Sequence, residues 1–314
     1  MKPELLHINL SYRTSSQREY AIPLSYQLFG KDLFSAPVIL VNHALTGNSN
    51  VSGDSGWWKQ LIGENKVLDT NTCTVLCFNI PGNGYDGFEV ESYEDFTPVD
   101  IARIFLQGLS VLKIDRLHAI IGGSLGGGIG WEMLVLKPQL TDIFIPIACD
   151  YRTHDWLHAQ CLVQKFLLNQ NDQPLQKARI HAMLCYRTPE SLNNRFRNGF
   201  NKEKQRLESE DWLLYHGNVL NERFSLSSYK LMNHLLMNLN ADEAGIREIT
   251  AEIHLIAVDT DLFFPASEIR MCFEKLKDYH QKVFYHEIQS IHGHDAFLME
   301  YQQLQTIIKN ILER

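Results

Sequence analysis

The sequence lacks the features that mark several protein classes. No apolar run approaches the roughly 18 residues that suggest a membrane-spanning helix. The opening stretch, MKPELLHINLSYRTSS, has no apolar core of the secretory type, so no signal peptide is expected. There is no block of basic residues. The 314-residue chain carries 29 Lys and Arg against 37 Asp and Glu, a formal net charge of −8. Binders of a phosphate backbone present a basic face, so the charge balance points away from nucleic acid. Cysteine is sparse, with six residues at 73, 77, 149, 161, 185 and 272. None forms a C-x-x-C pair, and Cys73 and Cys77 have no His or Cys at zinc spacing. Several lie in apolar runs, so buried reduced thiols are expected rather than disulfides or a metal site. A cytoplasmic protein, without a membrane span and without a bound metal, fits these absences.

What is present is a repeated pattern. VILVN (38–42), TVLCFNI (74–80), LHAIIG (117–122), IFIPIA (143–148), IHLIAV (253–258) and VFYHEI (283–288) are short apolar runs. Most lead into turn residues and then into helical periodicity. Continuous apolar strands alternating with helices predict a mostly parallel central sheet flanked by helices. Ligands of such sheets bind beyond the carboxyl ends of the strands. The alternation stops between 152 and 246, where only helical patterns are read. This divides the chain into a core (1–151 and 247–314) and a helical cap insertion (152–246) over the strand ends.

Gly122-Gly123-Ser124-Leu125-Gly126 is a G-x-S-x-G turn between a strand and a helix. A nucleophilic serine must project from a sharp, strained turn, and residues two positions to either side have to be small. The Leu125 amide then opens the helix and points at the reaction centre as an oxyanion donor. A second donor is expected from NHALTGN (42–48), at Leu45 or alternatively Thr46, with His43 structural. Serine needs a base held by a third group, and in this arrangement the acid precedes the base in the chain. Asp259 and Asp261 in DTDLFFP are the acid candidates. His292 and His294 in SIHGHDAFLME are the base candidates, with His294 favoured by the glycine before it and the apolar residues after it.

These residues resemble the homoserine O-acetyltransferases, a branch of the α/β-hydrolase superfamily. NHALTGN, GWWKQLIGENKVLDT (56–70), GGSLGGG, ARIHAMLCYRTPES (178–191), YHGNVLNERFSLSSYKLMN (215–233), DTDLFFP and GHDAFLME carry the likeness over most of the chain. The resemblance implies an α/β-hydrolase fold and a triad of Ser124, His294 and Asp261, the acid being set by its distance to Pro265. It also implies that Arg179, Tyr186 and Asp295 face the substrate, with acetyl-CoA as co-substrate and L-homoserine as acceptor. No bound cofactor is implied, and a homodimer through the cap helices is. Arg179 suits the acceptor carboxylate and Asp295 its amine. The chain departs from the family at IPGNGYDGF (80–88), which is nearer a generic hydrolase loop, and in a shorter cap. Both departures are expected at the mouth of the pocket. A carboxylesterase-type hydrolase with the same triad is the alternative reading. A non-catalytic binding protein is a further one, against which the intact Ser, Asp and His speak.

Overall fold

The computed structural model describes residues 4–313. Its centre is an eight-stranded sheet: β1 (Leu6–Arg13), β2 (Glu19–Gly30), β3 (Val38–Asn42), β4 (Thr74–Phe78), β5 (Leu117–Gly123), β6 (Thr141–Ile147), β7 (Glu252–Val258) and β8 (Val283–Ile288). The spatial order is β1-β2-β4-β3-β5-β6-β7-β8. Strands β3 to β8 are parallel to one another, while β1 and β2 run antiparallel at one edge. The central strands are buried on both faces, as continuous apolar runs require.

Strands β1 and β2 are the two that a search for apolar runs passes over. Their sequences interleave polar residues with apolar ones, and two of those polar groups are buried with partners. Gln27 accepts a hydrogen bond from the Ser49 hydroxyl at 2.7 Å, and Ser25 Oγ accepts one from Asn79 at 2.8 Å. Paired polar groups break the apolar pattern without breaking the strand.

Helices α1 (Pro98–Val111) and α2 (Leu125–Leu136) pack against each other beside the sheet. The insertion supplies α3 (Asp155–Leu168), α4 (Pro174–Tyr186), α5 (Pro189–Phe196), α6 (Glu208–Arg223) and α7 (Leu226–Met237). It also holds a small antiparallel ladder, Phe200–Asn201 against Arg206–Leu207. The strand-free reading of this segment missed that ladder because two residues per strand leave no periodicity. Its turn is fixed by Asn201, whose side chain accepts from the backbone N–H groups of Glu203 and Lys204. The short α8 (Glu243–Arg247) packs on α2, and α9 (Ala266–Lys277) and α10 (Tyr301–Leu312) complete the core. All six cysteines are buried and free. Among the described residues no helix is long and apolar enough to cross a membrane.

Candidate active site

The site is built from loops at the carboxyl ends of β3, β5, β7 and β8, and from the end of α4. Ser124 sits between β5 and α2 with φ 53° and ψ −126°, a strained conformation for a residue with a side chain. The turn has no room for larger neighbours. A methyl group on Gly122 would lie 2.5 Å from Gly126, and one on Gly126 would lie 2.2 Å from the Asn42 carbonyl oxygen. The Ser124 N–H donates to the Ile147 carbonyl at 2.8 Å, which ties the turn to the end of β6.

His294 lies between serine and carboxylate. Its Nε2 accepts from the Ser124 hydroxyl at 2.9 Å, and its Nδ1 donates to Asp261 at 2.7 Å. An ionised carboxylate only accepts, so the Nδ1–H tautomer follows. The other oxygen of Asp261 accepts from the backbone N–H groups of Phe263 and Phe264 at 2.7 and 2.9 Å. The rings of Tyr186, Phe263, Phe264 and Phe297 surround the imidazole at centroid distances of 5.0 to 5.9 Å.

Asp259 and His292, the other two candidates, point elsewhere. Asp259 accepts from the Ser290 N–H at 2.9 Å, so it braces the loop after β8. His292 meets the Ser191 hydroxyl at 2.9 Å. His43 is buried, and burial lowers its pKa to about 4. Its Nδ1 meets the Ala44 carbonyl at 2.8 Å and its Nε2 accepts from the Ile80 N–H at 3.0 Å. A neutral imidazole thus holds the loop that presents Leu45.

Ser124 and His294 line a cavity of about 60 Å³ together with Ala44, Leu45, Thr46, Arg179, Tyr186, Asp295, Phe297 and Leu298. Leu45 and Thr46 both reach it. The Leu125 N–H is the first of α2, beyond reach of the helix's own acceptors. Burial pushes the Tyr186 phenol well above its usual range, so it is neutral. The Arg179 guanidinium lies 5.6 Å from the Tyr186 ring, and its Nη1 is buried with no hydrogen-bond partner. A wider recess of about 1030 Å³ lies at the amino ends of β3 and β5, away from Ser124.

Two features escape sequence reasoning. Asp295 already has a partner, because Arg187 Nε donates to it at 2.7 Å with both side chains largely buried. Arg187 directly follows Tyr186 and carries no signal of its own. The loop IPGNGYDGF does not line the cavity. It packs on α7, with Gly82 against Leu231 and Gly84 against Ser228. Its Pro-Gly-x-Gly turn makes a contact between core and cap. The Gly-Trp-Trp segment also has a visible purpose. Trp57 donates to the Asn48 carbonyl at 2.8 Å, and buried Trp58 donates to the Phe297 carbonyl at 3.3 Å.

A serine at a strained strand–helix turn, bonded to a histidine that a carboxylate orients, on this sheet order, defines an α/β hydrolase-fold enzyme. The alpha/beta hydrolase fold family matches residues 37–142. Homoserine O-acetyltransferase of Cyclobacterium marinum is 31% identical over 303 residues, covering 87% of this chain and 84% of that protein. In three dimensions the chain superposes on homoserine O-acetyltransferase from Bacillus anthracis with TM-score 0.86 at 18% identity, covering 100% of this chain and 98% of that one. It superposes on esterase E22 with TM-score 0.88 at 16% identity, covering 98% of this chain and 99% of that one. The chain belongs to the homoserine O-acetyltransferase family.

Two substitutions test the local geometry. Gly126→Ala forces its methyl into Asn42 and is expected to destabilise the protein by about 1–3 kcal/mol, read as a lower denaturant midpoint. Asp261→Asn is expected to lower turnover by about three to four orders of magnitude through the wrong imidazole tautomer. Asp259→Asn keeps an oxygen for the Ser290 N–H and should stay close to the parent. Equal losses in the two Asp variants would contradict the assignment.

Proposed function

We propose that the protein transfers an acetyl group from acetyl-CoA to the hydroxyl of L-homoserine through an acyl-Ser124 intermediate. The observation that carries this reading is the buried Arg179 Nη1, which has no partner and lines the same cavity as Ser124 and His294. A buried guanidinium nitrogen without a hydrogen bond is costly. A carboxylate bound beside the nucleophile would satisfy it, and simple ester hydrolysis has no need of one.

The chemistry runs in two halves. His294 takes the Ser124 proton while Oγ attacks the thioester carbonyl. The amides of Leu45 and Leu125 receive the oxyanion, each contributing about 3 kcal/mol to lowering the barrier. The CoA thiolate leaves with the proton from His294. L-Homoserine then binds, its carboxylate on Arg179 and its amine toward Asp295, with Tyr186 against it. His294 deprotonates its hydroxyl, which attacks the acyl carbon and releases Ser124. Asp261 holds the imidazole in one tautomer throughout. The aromatic enclosure of His294 keeps the acyl-enzyme away from bulk water, which favours transfer over hydrolysis. The chemistry calls for no metal or bound cofactor. The product ester would feed methionine synthesis in the cytoplasm. Trp156, Val163 and Phe166 leave apolar surface exposed on α3, which supports a homodimer through the cap.

The test separates the halves. Arg179→Ala should keep the burst of CoA thiol from acyl-enzyme formation. Homoserine-dependent turnover should fall about ten- to a hundredfold, the usual cost of a lost charged hydrogen bond. Thiol release that ignores homoserine in the parent protein would instead establish the carboxylesterase reading.

A further inference from the structure

The triad acid sits on a short turn, and one side of that turn is held by the cap. Asp261 lies three residues beyond β7, and its N–H donates to the Val258 carbonyl at 3.1 Å. Leu262 comes next, just ahead of Phe263 and Phe264, whose N–H groups hold the carboxylate. The Leu262 carbonyl accepts from the indole N–H of Trp156 at 2.6 Å. Among the described residues this is the one hydrogen bond between the turn Asp261–Phe264 and the cap. The other cap contact is the Tyr186 ring against Phe263, at 5.1 Å between centroids. Trp156 is the second residue of α3, and the start of that helix is anchored. Just ahead of it, His154 Nε2 donates at 2.8 Å to Asp150, which is buried beyond the end of β6. That hydrogen bond raises the His154 pKa and so favours the charged imidazolium. The Thr153 N–H donates to the Leu239 carbonyl at 2.8 Å, just beyond α7. Trp156 therefore reaches the acid turn from a fixed point. The residue is half-exposed, so its N–H is its specific contact.

We infer that Trp156 is a positioning residue for the triad acid, acting through the Leu262 carbonyl to fix the turn that presents Asp261 to His294. The backbone path after β7 decides which aspartate reaches the imidazole, and Leu262 is where α3 takes hold of that path. Without the indole N–H, the turn keeps its internal bonds to Asp261 but loses its hydrogen bond to the cap. The 2.7 Å contact between Asp261 and His294 Nδ1 is then held less closely. A small displacement of a group that orients the base costs rate rather than binding. The inference goes beyond the acyl-transfer reading and does not depend on the acceptor, because hydrolysis would use the same triad.

The experiment uses Trp156→Phe, which removes the N–H and keeps an apolar ring. With acetyl-CoA and L-homoserine, kcat is expected to fall about three- to tenfold. Asp261 serves both halves of the reaction, so acyl-enzyme formation and its discharge should slow by the same factor. KM for each substrate should then stay within about twofold of the parent. The same substitution is also made in Asp261→Asn. There the charged carboxylate is already gone, and Trp156→Phe should cost less than about twofold further. A smaller folded fraction would lower both backgrounds alike. Equal losses in the two backgrounds would overturn the inference, as would a Trp156→Phe variant with the parent kcat. If the parent shows no homoserine-dependent turnover, the acyl-transfer reading fails by itself. The comparison is then made on hydrolysis of p-nitrophenyl acetate, which calls only on the triad and the oxyanion donors, with the same outcomes.

Discussion

The backbone of Ser124 is the constraint on which the rest of the site depends. An L-residue at φ 53° and ψ −126° costs about 1–3 kcal/mol, and it persists only because the surroundings leave no alternative. Gly122 and Gly126 touch across the turn, Gly126 presses on the end of β3, and the serine N–H is fixed to the end of β6. Three strands thus determine where one hydroxyl points. The same turn opens α2, whose first N–H groups have no acceptor within the helix.

The base needs a different solution, because His294 sits on a loop. That loop is held from both sides. From the core, Asp259 and Thr260 bond to Ser290, Thr260 also accepts from the Gly293 N–H, and Trp58 reaches Phe297. From the cap, Tyr186 lies against the imidazole, Arg187 holds Asp295, Thr188 holds Ile291 and Ser191 holds His292. The end of α4 therefore closes the chamber and registers the base at once. Displacing the cap there would disturb the imidazole as well as admit water. This coupling gives the helical insertion a chemical role beyond that of a cover.

Much of this was legible in the sequence, for identifiable reasons. The parallel strands show as apolar runs because both their faces are buried. The serine turn shows because glycine is the only residue that fits around it. Asp259 and Asp261 could not be told apart from the residues alone. They differ by two positions on a turn, and only the backbone path decides which one reaches the imidazole. Strands β1 and β2 stayed hidden behind buried but paired polar groups. Arg187 stayed hidden because its partner lies 108 positions away, and no local pattern encodes such a contact. The contact of the loop at 80–88 with α7, where Gly82 meets Leu231 and Gly84 meets Ser228, also left no local signal.

The central claim is that Ser124, activated by His294, carries the acyl group. Intact-protein mass spectrometry after rapid mixing with acetyl-CoA, without acceptor, tests it most directly. The account predicts a mass increase of one acetyl group, located on Ser124, which disappears when L-homoserine is added and is absent from Ser124→Ala. An unmodified parent protein that still releases CoA thiol only in the presence of homoserine would contradict it, because transfer would then bypass the serine.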